Sequence, residues 1–329
     1  MICDMNTYAV YAKDEKLRLE SSSGAVFSLL ANSVIDLRGI VYGVAMSNDC
    51  RSAVYCRVNN GEDLSKLRGS KYLQAIVGDT YKNVKNDLQE GYIVLFSGTS
   101  CQINGLKSFL GKEYENLYCV DVICHGTPSP KLWRKYVDYL EKQQNAKLIS
   151  VNFRCKDNSW KDFGIKRIDE HHKAIYVSKD TDPYMVMFLR DYCLRPSCYE
   201  CVAKSNHKSD LTIADFWGID NVAPEMNDGK GTSLVITRTD KGDSLFEIIS
   251  KNLIKKAVTY EAGVSHNPSE YSSVRYPNKR NCFYGDLDSL GFDKMIQKYG
   301  QMSIRRHVKV ILKNLILKTP ARKLVCGGE

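Results

Sequence analysis

The order of apolar and polar positions divides the chain into short extended runs and helical stretches. Residues 7–12 (TYAVYA) read as an opening strand. In residues 19–35, Val26, Phe27, Leu30 and Val34 recur at helical spacing behind Ser21, Ser22, Ser23 and Gly24, a pattern that predicts a helix whose start the serines cap. Such a helix start offers free backbone N–H groups to an anion, so a phosphate site is one use of it and capping alone is the other. Two β-rich runs, residues 39–46 and 52–58, flank Ser-Asn-Asp-Cys and predict a hairpin. Residues 62–67 return to helical spacing and end in the loop Gly69-Ser70-Lys71-Tyr72.

Residues 92–142 carry the most organised pattern. A strand ending at Gly98-Thr99 leads into a helix from Ser100 to Leu110; a second strand (residues 117–126) leads into a helix from Ser129. Consecutive strands joined by a helix run parallel with a right-handed crossover, so both should end on one edge of the sheet, where open α/β sheets place ligands. Cys101 and Cys124 would meet there. Further on, the pattern predicts a strand at 149–154, a polar turn, a hairpin through 169–174, a helix at 183–192, strands at 211–219 and 232–238, and a helix at 242–253. The expected fold is mixed α/β: a partly parallel sheet flanked by helices (1–147), a second α/β portion completing the site (148–290), and a C-terminal amphipathic helical tail (291–329).

Cysteine spacing adds chemistry to this frame. Cys198 and Cys201 form a Cys-x-x-Cys turn, and thiolate-only ligation selects zinc or an iron–sulfur cluster. With Cys101 and Cys124 they supply four thiolates from three segments. Nothing near the N-terminus has the apolar core of a leader, and no apolar run approaches the ~20 residues of a membrane span, so the expected address is the cytoplasm. Twelve cysteines in a reducing compartment are not a disulfide framework; Cys3, Cys50, Cys56, Cys119, Cys155, Cys193, Cys282 and Cys326 are expected to be plain buried thiols. The formal charge of +9 is equalled by the nine Lys and Arg between Lys294 and Lys323, a stretch without Asp or Glu. The remainder is balanced, which argues against nucleic acid as the partner.

The ordered segments FSGTSCQINGLKSFL, CVDVICHGTPSPKLWRKY, NFRCKDNSWKDFG, LRPSCYEC and SDLTIADFWGI, with SSSGAVFSLL and LRGSKYLQ before them, resemble the coenzyme F-420 hydrogenase/dehydrogenase beta-subunit family from about Tyr8 to about Leu253. The resemblance implies an FAD-containing iron–sulfur oxidoreductase with Cys101, Cys124, Cys198 and Cys201 holding one 4Fe-4S cluster. It also implies that Ser22, Ser23, Gly24, Gly69, Ser70, Lys71, Tyr72, Gly98, Thr99, Gln102, Gly126, Asp215 and Phe216 surround the flavin. Many relatives begin with a ferredoxin-like module; this chain starts without one, so its electrons are expected from a ferredoxin-like carrier or a partner subunit. Ser100 and Ala214 stand where the family usually has Pro and Gly. No Gly-x-Gly-x-x-Gly fingerprint follows a strand, so FAD rests on the resemblance alone.

A cluster passes single electrons whereas most organic substrates exchange two, and a flavin converts between them. Electrons would enter through the cluster, collect on the flavin and leave as hydride to a bound substrate or coenzyme, or run in reverse. His125 and Lys71 are the candidates to hold substrate or supply a proton. Three other readings stay open: a four-cysteine zinc site in an α/β protein, a non-catalytic electron-transfer or assembly subunit, and a cysteine hydrolase using Cys101 and His125. The tail places Ile304, Val308, Ile311, Leu312 and Leu315 at helical spacing with Arg305, Arg306, Lys309 and Lys313 between them, a basic amphipathic helix; one reading packs it on the body with its cations in water, the other has it meet an acidic carrier or an anionic membrane face.

Overall fold

The computed structural model describes residues 5–301; Cys3, Cys326 and the amphipathic stretch from Ile304 lie outside the described residues. A nine-stranded sheet forms the body, in the order β12 (Leu253–Val258), β1 (Thr7–Ala12), β11 (Ser233–Thr237), β10 (Leu211–Asp215), β6 (Leu117–Val122), β5 (Val94–Thr99), β2 (Ile40–Met46), β3 (Ala53–Val58) and β4 (Ala75–Ile76). The central run β10-β6-β5-β2 is parallel, and β11, β1 and β12 extend it with antiparallel pairs. The expected hairpin of residues 39–58 is β2 against β3, from Val41 opposite Val58 to Met46 opposite Ala53.

Alternation along the parallel strands explains why both faces are covered. Val41, Leu95 and Val120 face one way and meet the helices Val26–Asp36 and Asp240–Ser250 through Leu30, Val34, Leu245 and Phe246. Ile40, Tyr42, Val94, Phe96 and Cys119 face the other way, against Val84, Ile103 and Leu106 of the helices Thr80–Gln89 and Ser100–Leu110. Successive strand residues point to opposite faces, so an unbroken apolar run fits a sheet buried on both sides.

A smaller antiparallel sheet, β7 (Leu148–Cys155), β8 (Gly164–Asp169) and β9 (Ala174–Ser178), stands beside the body. The helix Pro130–Gln144, started by Ser129 and with Pro130 in its first turn, joins it to the rest of the fold. Its Trp133 and Tyr136 pack on Tyr184 of the helix Pro183–Leu189, with ring centroids at 4.9 and 5.8 Å. Trp133 also donates to the carbonyl of Cys50 at 2.7 Å. Among the described residues no helix is long and apolar enough to cross a membrane.

Two expectations are corrected here. The serines before the helix Val26–Asp36 do not cap it: its first flanking residue is Ala25, left-handed at φ 69°, with no side-chain cap. Of the cysteines expected to be plain buried thiols, Cys50, Cys119, Cys155 and Cys193 are buried, but Cys56 is half-buried and Cys282 exposed.

Candidate functional site

Parallel pairing brings three strand ends to one edge. Thr99 of β5 lies opposite Val122 of β6, and Ile213 of β10 lies opposite the same Val122, so Cys101, Cys124 and Asp215 follow from neighbouring carboxyl ends. Cys198 and Cys201 arrive from a loop that starts with a short turn of 3-10 helix, Pro196–Cys198. All four cysteines line one cavity, together with Thr99, His125, Gly126, Lys204 and His207. Gly126 is left-handed at φ 154°, and a Cβ there would press on Leu194 Cδ1 at 2.7 Å, so glycine lets the Cys124 loop turn against the Cys198 loop.

The thiols differ in their surroundings. Cys101 is exposed, and the other three are half-buried. Burial pushes the Cys124 thiol up to about 12; Lys204 opposes this, and Cys198 and Cys101 add to it. Burial also raises Cys198, whose sulfur accepts from the Thr127 N–H at 3.4 Å. Lys204 donates to the carbonyls of Cys124, at 2.6 Å, and Ser269, which fixes an ammonium at the cysteine cavity. Metal binding would invert the thiol preference, since a coordinating thiol is deprotonated.

The donor set fits an iron–sulfur cluster. It is all sulfur, from three segments, beside a cation. A single zinc needs its four thiolates within about 3.8 Å of one another, given Zn–S near 2.3 Å and tetrahedral geometry. Among the described residues no three His, Cys, Asp or Glu side chains stand close enough to hold a metal ion of any kind; the four thiols line one cavity without converging on a point. The cavity is small, about 30 Å³, and opens to solvent on the Cys101 side. With Cys101 at the exposed rim, a cluster held by all four would occupy the rim as well as the interior.

The residues expected around a flavin gather in linked loops. Ser22 Oγ accepts from the Ser70 N–H at 3.0 Å, joining Ser21–Gly24 to Gly69–Tyr72. Ser23 Oγ donates to the Thr232 carbonyl and Gly24 N–H to Ser233 Oγ, both at 2.8 Å, which ties the same loop to β11 beside Asp215. The Phe216 side chain is fully buried and its backbone N–H bonds the Thr232 carbonyl. Lys71 donates to the carbonyls of Arg68 and Lys66 at 2.7 and 3.1 Å, and burial pulls its ammonium down to about 7. Gln102 is engaged otherwise: its Oε1 accepts from the Thr99 N–H at 2.9 Å and from Tyr55 at 3.0 Å, securing the start of the helix that carries Cys101. Gly98 lies against the same Tyr55 hydroxyl.

Three groups here escaped sequence reasoning. Arg154 has a side chain only 1% exposed, 2.7 Å from Asp215 Oδ2 without hydrogen-bond geometry, and its Nε and Nη2 have no acceptor. Its guanidinium lies 3.8 Å above the Phe163 ring, and Asp215 also accepts from Trp160 at 3.3 Å. A buried cation that is ion-paired to Asp215 through Nη2 and keeps an unpartnered Nε fits a ligand rich in acceptors, as a flavin dinucleotide is. The second is Asp121. It is fully buried and accepts from Ser100, Thr212 and His207 at 2.6, 2.5 and 3.0 Å; burial works to raise it, but these bonds hold it below the usual carboxylate range. Burial likewise opposes charge on His207, yet Asp121 outweighs it and the imidazole is raised. The third is Asp191, left-handed at φ 62°, whose Oδ1 lies 2.6 Å from His125 Nε2 and orients that ring. Phe188 links the two halves of the site, 5.4 Å from His125 and 5.3 Å from Tyr72. The polar residue types are visible in sequence, but their pairings cross from 21 positions, Ser100 to Asp121, up to 91, Asp121 to Thr212.

The family model describing the C-terminal part of the coenzyme F420 hydrogenase/dehydrogenase beta subunit matches residues 92–261. A solved structure of the F420-reducing [NiFe] hydrogenase complex from Methanosarcina barkeri contains a similar chain: 12% identity, TM-score 0.54, covering 89% of this chain and 91% of that one. At that identity the likeness is one of fold. No curated protein matches the chain significantly.

Proposed function

Because the chain belongs to the coenzyme F420 hydrogenase/dehydrogenase beta-subunit family, we propose that this redox protein is an iron–sulfur flavoprotein oxidoreductase. It passes electrons between a one-electron carrier or partner subunit and an organic two-electron substrate or coenzyme. The observation that carries this reading is the set of four cysteines from three segments on one cavity, separated from the linked serine and Tyr72 loops by Phe188. Cys101, Cys124, Cys198 and Cys201 would hold a 4Fe-4S cluster; Ser22, Ser23, Gly24, Gly69, Ser70, Tyr72, Arg154, Asp215 and Phe216 would surround FAD. Cluster and flavin together would supply conversion between single electrons and pairs.

The chain's own residues do the rest. Lys204 offsets negative charge at the cysteines, and Arg154 offers donors to an anionic or carbonyl-rich group. Lys71, with its ammonium near neutrality at physiological pH, can give or take a proton. His125, held by Asp191, stands on the cysteine side. The hydrolase alternative has less support, because Cys101 Sγ bonds Thr99 Oγ1 at 3.1 Å and not His125 among the described residues.

Anaerobic purification with an absorbance spectrum and metal, sulfide and flavin analysis tests the proposal. Iron and acid-labile sulfide are expected at about four each per chain, with FAD released on denaturation. Zinc without sulfide would refute the cluster. Cluster-loaded protein that releases no flavin would refute the FAD assignment, and flavin that a carrier reduces but no organic substrate reoxidises would favour the non-catalytic electron-transfer role.

A further inference from the structure

The cysteine cavity has a neighbour. An open cleft of about 530 Å³ is lined by Lys107, Lys112, Lys208, Arg238 and His207, with Glu113 as its single carboxylate. His207 lines both spaces, so one imidazole forms the wall between the cleft and the four thiols. The charge is local: outside the stretch Lys294–Lys323 the chain's cations and carboxylates balance.

These cations are not equally available. Arg238 is committed to Glu270 and to Thr212 Oγ1, and His207 to Asp121. Lys107 reaches Glu113 at 3.1 Å. Lys112 and Lys208 are exposed, and neither makes an ion pair among the described residues. In the wall, Ser209 is 2% exposed and its Oγ has no hydrogen-bond partner, a buried hydroxyl that asks for an acceptor from outside. Beside the cysteine cavity, Val202 is 81% exposed between Cys201 and Lys204.

We propose that this cleft is the docking site of an acidic one-electron carrier protein, whose carboxylates meet Lys107, Lys112 and Lys208 and whose redox centre is thereby set next to the four cysteines. The inference rests on the redox reading above and names its partner surface. A field of lysines on flexible stems steers a macromolecule of opposite charge and raises its encounter rate. A tight small-anion site would instead present a free guanidinium fork or a glycine-rich nest, and the cleft's one Arg is occupied. Val202, exposed in the loop between Cys201 and Lys204, offers apolar contact to a partner broad enough to extend past the cleft.

The test measures binding rather than electron transfer. The full chain is titrated calorimetrically with an acidic bacterial ferredoxin at low salt and at 0.3 M salt, with iron, sulfide and melting temperature determined on the same samples. K107E/K112E/K208E is expected to lower affinity about tenfold or more and to flatten the salt dependence. K142E/K161E/K166E, the same charge change on the helix Pro130–Gln144 and around the small sheet, should bind as the parent does. Equal effects of the two triple variants would overturn the proposal. Inorganic phosphate bound at the cleft of a chain that takes up no ferredoxin would also overturn it, in favour of a small-anion site. Ferredoxin bound by a chain whose cysteines hold no iron would support the docking surface while refuting the cluster assignment.

Discussion

Single side chains set the character of the thiol cavity. Cys198→Ser is expected to lose the iron and sulfide, and Cys50→Ser, at a position 1% exposed beneath Trp133, to keep both; metal analysis of the two proteins decides. Lys204→Gln should keep the cluster and lower its midpoint potential by roughly 30–60 mV in an EPR-monitored titration, since losing a nearby positive charge favours the oxidised form and about 59 mV is tenfold for one electron. An unchanged potential would show that the ammonium only ties the Cys124 and Ser269 carbonyls. His207 makes a third prediction. Its folded-state value lies above the ordinary 6.5, so its contribution to stability is complete below that value and fades as pH rises through the raised one. Asp121, held low, contributes above the ordinary carboxylate range and fails only in acid. Melting temperature should therefore decline as pH rises above 6.5 in the parent and decline less in His207→Gln; parallel profiles would remove His207 as the source. The division between Cys198 and Cys50 was legible in sequence; the partners of Lys204 and His207 were not. A histidine in a polar run gives no sign that Asp121, one strand away, will face it from a fully buried position.

At the level of elements, local pattern sufficed for several runs whose neighbours in sequence are neighbours in space, but it missed the helix Thr80–Gln89 and read the start of β12 as the end of a helix over 242–253. The strands and helices from Val94 to Gln144, the β2/β3 hairpin and the meander of β7, β8 and β9 follow from periodicity and turn residues, and parallel pairing of β5 with β6 brought Cys101 and Cys124 to one edge as expected. The serine run was misread for the converse reason. The Ser22 hydroxyl accepts from the Ser70 N–H and the Ser23 hydroxyl donates to the Thr232 carbonyl, whereas a cap signal assumes partners within the same turn. The helix Ser100–Leu110 joins both cases. Ser100 is its first residue, where proline is well tolerated because the N–H has no intrahelical partner, but its hydroxyl bonds Asp121. Ser100→Pro should keep the helix and cost about 1.5–3 kcal/mol in urea unfolding, the worth of one bond to a charged group. A loss several times larger would mean that the helix start itself had moved.

On the scale of the whole molecule, two stretches far apart in sequence meet in one region of the sheet: β1, at residues 7–12, is hydrogen-bonded to β11 on one side and β12 on the other. Hydrophobic alternation identified TYAVYA as a strand but could not say where it inserts, because register across more than two hundred residues is set by the finished sheet. Removal of residues 1–12 should accordingly yield a chain that aggregates on expression, since it would expose two facing strand edges; a monomeric, cooperatively melting product would contradict this. The same insertion fixes an order of events during synthesis. Once made, β1 must wait for Val258, about 12–50 s later at 5–20 residues per second, before its second partner exists. For that interval the nascent protein carries an unsatisfied β-ribbon, and its native state becomes reachable only after translation has passed β12.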